Sequence, residues 1–169
     1  MDELAGATIG ATFNQYRDGR RAAVLRKRLR AYLDGCAGAR LLLVGEAPGY
    51  RGARVSGIPF TSERQLTGTG PSEATATIVR RTLAELGCEE DVLLWNVVPT
   101  HPGTESSNRA PTRREVALGL RFVEGLAAGR DVVPVGRVAE RALGKPGIRH
   151  PSHGGSAGFA DGLRRILTG

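Results

Sequence analysis

The sequence predicts a single-domain, three-layer α/β/α fold, with helices on both faces of a central, mostly parallel four-stranded sheet. Three observations predict it. Short, continuous apolar runs such as Leu41–Val44 and Val92–Leu94 read as strands buried on both faces. Between them lie segments whose apolar residues recur at helical spacing, the alternation that builds parallel sheets. The chain has 169 residues, enough for one domain with a real core, and carries no internal repeat and no dividing linker.

The elements follow in order. Residues 1–16 are mixed in character and are expected to form a loosely packed lead-in. From Arg17 to Leu33, Val24, Leu25, Leu29, Tyr32 and Leu33 recur at helical spacing, with arginines filling the exposed face. Arg40–Gly45 is the first strand. A long Gly/Ser/Thr/Pro-rich loop from Glu46 to about Pro71 follows, of a length that is usually functional. A helix over Ser72–Leu86 stops at Gly87. Asp91–Val98 is the second strand. Thr112 with Glu115 forms a capping box that opens the next helix. Asp131–Val135 is the third strand, and a short helix covers Arg137–Leu143. Ile148–His150 reads as a brief fourth strand before the last helix, which ends near Leu167.

Composition narrows the class. No apolar run approaches the roughly 20 residues of a membrane span, so a soluble, cytoplasmic protein is expected, monomeric and without membrane contact. Cys36 and Cys88 are too few for a four-thiolate metal or iron–sulfur site and read as buried thiols; neither metal nor cofactor is expected. The net charge of +7 and pI near 10.4 point to nucleic acid. A GC-rich genome would account for the excess of arginine over lysine, but not for the net charge.

In such a fold, ligands bind at the carboxyl ends of the strands. Three segments sit there: Gly45-Glu46-Ala47-Pro48-Gly49, Asn96 with its following loop, and His150-Pro151-Ser152-His153. With Gly57-Ile58-Pro59-Phe60, they resemble, in order, the motifs of the uracil-DNA glycosylase superfamily, nearest the pattern of its family 4 and family 5-like members. The resemblance spans roughly residues 40–168 and implies an enzyme that flips a uracil or other deaminated base from single- or double-stranded DNA and cuts its glycosidic bond.

Each residue suits that chemistry. A base must leave the stack to be excised, and is then gripped by its face and its edge. Phe60 offers a flat apolar face, worth about 1–3 kcal/mol per stacked base. Asn96 can donate to a carbonyl and accept from an imide N–H, a pattern present in uracil and inverted in cytosine. Cleavage leaves charge on the departing base, and the resemblance assigns the stabilising donor to His150. Glu46 resembles the family 4 glutamate; water positioning, cation stabilisation and a structural bond to backbone N–H groups are all open to it. Gly45, Ala47, Gly49 and Tyr50 complete the expected base-binding set.

Two positions depart from family 1. Ala47 stands where those relatives carry an aspartate, and Gly49 where they carry the tyrosine that bars thymine, a role open to Tyr50 or another loop residue. Arg51, Arg54, Ser62, Arg64, Ser152, His153 and Gly154 are the expected DNA contacts, the last two in place of the usual leucine wedge. His101 is either a DNA contact or without a role. The absence of lysine near these motifs disfavours a Schiff-base lyase. Ala47 also motivates the alternative of a protein that recognises damage or abasic sites without excising a base. A nucleotide hydrolase is disfavoured, since neither a P-loop lysine nor clustered metal carboxylates are present.

Overall fold

The computed structural model describes residues 1–169. Its elements are α1 (Asp2–Gly6), α2 (Ala22–Gly35), β1 (Leu41–Gly45), α3 (Ala53–Ser56), α4 (Glu63–Thr67), α5 (Ala74–Leu86), β2 (Val92–Asn96), α6 (Arg113–Ala127), β3 (Asp131–Pro134), α7 (Arg137–Leu143) and α8 (Ser156–Thr168). The strands are parallel in the order β2-β1-β3, and the register sets Gly45 beside Asn96 at their carboxyl ends.

Alternation along β1 explains the layers, since successive strand residues face opposite sides. Leu42 and Val44 pack with Leu25 and Leu29 of α2, Trp95 of β2 and Val123 of α6. Leu41 and Leu43 pack with Val79 and Leu83 of α5 and with Phe159 and Leu163 of α8. Because both faces are covered, every residue of β1 and β2 is buried, which is why these strands read as unbroken apolar runs. Thr112 accepts the Glu115 N–H and the Glu115 carboxylate accepts the Thr112 N–H (2.8 Å), so α6 opens with the expected capping box. Gly87, in the left-handed region, ends α5.

Three expectations are corrected. The sheet has three strands, not four. Ile148 makes a single parallel bridge to Val135, and pairing goes no further between Pro146-Gly147 and Pro151, which has no N–H to donate. The stretch from Glu46 to Pro71 is not structureless, because α3 and α4 form within it. The lead-in is packed rather than loose: Leu4, Ala7, Ile9 and Tyr16 belong to the core. Its polar residues are bonded as well. Asn14 donates to the Leu4 carbonyl (2.8 Å), and Gln15 to that of Pro99 (2.9 Å). Phe13 pairs with His101 through two backbone bonds. No helix is long and apolar enough to cross a membrane.

Candidate active site

The loops at the carboxyl ends of the strands enclose a small cavity of about 60 Å³. Glu46, Ala47, Pro48 and Gly49 reach it from the end of β1, and Asn96 from the end of β2. Phe60, His150 and the start of α5 close it. Five parts of the chain meet here because parallel strands all end on one edge and their loops gather above it.

Gly45 lies beneath. A Cβ there would collide with the Phe60 ring and come within 3.0 Å of Asn96 Oδ1, so only glycine lets the ring and the amide approach the strand so closely. Phe60 has φ +50°, and His153 is the other non-glycine residue with positive φ. This conformation costs roughly 1–2 kcal/mol and survives because the segment is held on every side. Ser56 donates to the Thr61 carbonyl (2.6 Å), Arg80 to the Thr61 hydroxyl (2.6 Å), and Tyr16 to the Gly57 carbonyl (3.0 Å). The lead-in therefore helps to set the Phe60 ring. Asn96 is buried, yet its amide is not among the chain's side-chain hydrogen bonds and borders the cavity.

His150 is half-buried, and its Nδ1 accepts the Ser152 N–H at 3.2 Å, with the Ser152 hydroxyl 2.7 Å away. A backbone N–H can only donate, which assigns the neutral-ring proton to Nε2. Burial, then His153 and Arg149, hold the imidazole below its ordinary pKa. His150 thus offers a neutral N–H donor. Burial pushes the Glu46 carboxyl up, against a smaller opposing pull from Arg141. No hydrogen bond contributes to that shift, so Glu46 is not tied to backbone N–H groups. Glu46 and His150 also border an adjoining cleft of about 440 Å³, lined by Arg137, Arg149, Ser152 and His153.

Other expected residues lie elsewhere. Tyr50 does not line the cavity; its N–H donates to Asn108 (2.8 Å), and Arg51 lies over its ring. Arg54 is no free DNA contact, for it packs over Phe13 and pairs with Glu105 (2.9 Å). Ser62 is fully buried at the start of α4, where its hydroxyl accepts the Glu73 N–H (2.9 Å). Arg51, Arg64, His153 and Gly154 are exposed, and Ser152 is a positioning neighbour of His150. His101 is buried, with Nδ1 2.7 Å from the Pro48 carbonyl and Nε2 2.8 Å from that of Thr104, so it pins the β1 loop and does not meet DNA.

Sequence reasoning missed Glu73. It stands just before α5, where an acid reads as ordinary helix-start chemistry; the only other hint lay in Gly49 and Gly52, whose missing side chains make room for it.

A sequence model of the uracil DNA glycosylase superfamily matches residues 33–164. The chain belongs to that superfamily, and this membership supports a DNA glycosylase in general. Its structure is similar to the crystal structure of wild-type Pedobacter heparinus SMUG2, with a TM-score of 0.73 over 99% of this chain and 94% of that one. The two are 12% identical, a likeness of fold. No curated protein matches the sequence.

Proposed function

We propose that this protein is a monofunctional DNA glycosylase that flips uracil, or another deaminated base, from DNA and hydrolyses its N-glycosidic bond, leaving an abasic site. The observation that carries this reading is the convergence of a flat ring, an unbonded amide, a neutral N–H donor and a carboxylate on one cavity. The base enters from the adjoining cleft and stacks on Phe60, while Asn96 donates to one carbonyl and accepts the imide N–H. As the bond to the sugar breaks, negative charge grows on the base and positive charge on the sugar. His150 Nε2–H meets the first without itself titrating. The Glu46 carboxylate faces the second, or orients the attacking water. Arg51, Arg64, Arg149 and His153 are the phosphate-facing rim, with Gly154 giving the backbone its turn there.

Incubation with a uracil-containing oligonucleotide, followed by alkali, tests the reading. Strand cleavage at the uracil is the expected result, and intact strands at stoichiometric enzyme would overturn it. One observation favours a second reading, damage recognition without excision: Ala47 borders the cavity where family 1 relatives carry an acid. Intact strands together with tight binding to uracil-containing or abasic DNA would establish that alternative.

A further inference from the structure

One wall of the cavity has no role in this scheme. A base seated on Phe60, with one edge on Asn96 and the carbonyl that gathers charge toward His150, turns its remaining ring edge to Gly49 and the start of α5. Glu73 stands there. Its backbone is fixed by the Ser62 hydroxyl, and its side chain caps nothing. Its carboxyl group lies on the two glycines of the β1 loop. A Cβ at Gly49 would come within 2.5 Å of Oε1, and one at Gly52 would collide with Oε2. Burial alone pushes this carboxyl up, with no charge or hydrogen-bond donor of the chain acting on it. A carboxyl drawn partly out of water without a partner is unfavourable, and nothing in the packing of α5 requires it.

We propose that Glu73 is the specificity-determining residue of the cavity: its carboxyl group fills the space over Gly49 and bars a pyrimidine bearing a methyl group on the edge turned away from Asn96 and His150. The inference rests on the cavity being a base pocket, as proposed above. Thymine differs from uracil by that one methyl group. In a cavity of about 60 Å³ the methyl would have to displace the carboxyl or press against it and exclude its water. Discrimination by a single carbon is worth roughly 10–200-fold. The bulk absent at Gly49 is thus supplied from a distant part of the chain.

The test compares single-turnover excision of uracil and of thymine, each opposite guanine, by wild type, Glu73→Ala and Glu73→Gln. The readout is the thymine-to-uracil rate ratio. Glu73→Ala is expected to raise that ratio by roughly 10–200-fold, and Glu73→Gln, which keeps the bulk, by less than about fivefold. An unchanged ratio in the alanine variant, or a glutamine variant that admits thymine as readily as alanine does, would overturn the proposal while leaving the glycosylase reading intact. If wild type excises no base, that reading fails instead. Calorimetry with free uracil and free thymine then decides the wall's role without turnover: thymine binding gained only in Glu73→Ala supports it, and equal binding of both bases to wild type overturns it. Should the alanine variant not fold, Glu73→Ser, which removes the same bulk and suits the N-cap position of α5, takes its place: the same rise in the ratio is expected, and an unchanged ratio overturns the proposal.

Discussion

Two pairs of glutamates divide this molecule. Glu63 on α4 meets an arginine of α2 and the arginine just before that helix, Glu115 on α6 meets the lead-in and the loop before its own helix, and both are clamped. Arg28 and Arg21 each donate to Glu63 at 2.7 Å. Glu115 takes Arg109 (2.7 Å), the Thr112 N–H and the Ala11 N–H. Burial would raise the Glu63 carboxyl, but the two guanidinium groups outweigh it and hold it below its usual range. The bond from Arg109, against burial, takes Glu115 down to about 2. Glu46 and Glu73, at the cavity, are half-buried with no such partners, and burial moves both upward. The same side chain is a structural tie in one place and an unsatisfied group facing a cavity in the other. Unpaired buried polar groups persist where a ligand completes them.

The sharpest way to break this contrast is at the cavity. His150→Ala and Asn96→Ala should each lower single-turnover uracil excision by about 10²–10³-fold, with DNA binding retained in a mobility-shift assay. Rates that do not move would mean the open polar groups are not the working ones.

The clamped pair should answer in stability instead. Glu115→Ala frees Arg109 and two backbone N–H groups, and should cost about 2–3 kcal/mol in urea unfolding, with excision following only the folded fraction. The sign with pH is fixed by the lowered pKa. The stabilisation is complete above the ordinary 4.5 and is lost as pH falls toward about 2. A wild-type protein whose stability is flat across that window would refute the clamp.

The cavity groups titrate in the opposite sense. Ionised Glu46 is needed above a pKa raised from 4.5, and His150 is neutral above one lowered from 6.5. Loss of rate on the acid side should therefore set in above the ordinary carboxylate value of 4.5, as Glu46 takes up its proton, and Glu46→Gln should remove that part of the profile. A rate that stays flat down to pH 4.5 would contradict the placement of Glu46. The smallest effect belongs to the rim. Arg51→Ala, Arg64→Ala and Arg149→Ala should each weaken DNA binding without sequence preference and lower the salt-dependence slope by about one. Arg54→Ala should leave that slope unchanged, since Arg54 is held by Phe13 and Glu105.

Much of this was legible in the residues. Buried parallel strands announce themselves as apolar runs, so β1, β2 and β3 stood out, as did α6 with its capping box. The loops with Glu46, Phe60, Asn96 and His150 were marked by glycine and proline around functional side chains. The fourth strand was over-read, because three residues between Gly147 and Pro151 carry the composition of a strand without room for a ladder. The lead-in was under-read, because Asn14, Gln15 and Tyr16 look exposed until their partners, far away in sequence, are known. Arg54, Ser62 and His101 carried the chemistry of DNA contacts and turned out to hold the site together.

Taken alone, the amino-acid order determined the strands, the helices between them and the loops on which a site would form, because periodicity and turn chemistry are local properties. Only the tertiary structure decided which polar groups are already satisfied. Whether a glutamate meets an arginine or faces an empty wall depends on residues tens of positions away, brought together by the sheet. That is why Glu115 is a clamp, and why Glu73, unremarkable in sequence, stands over Gly49 in the cavity.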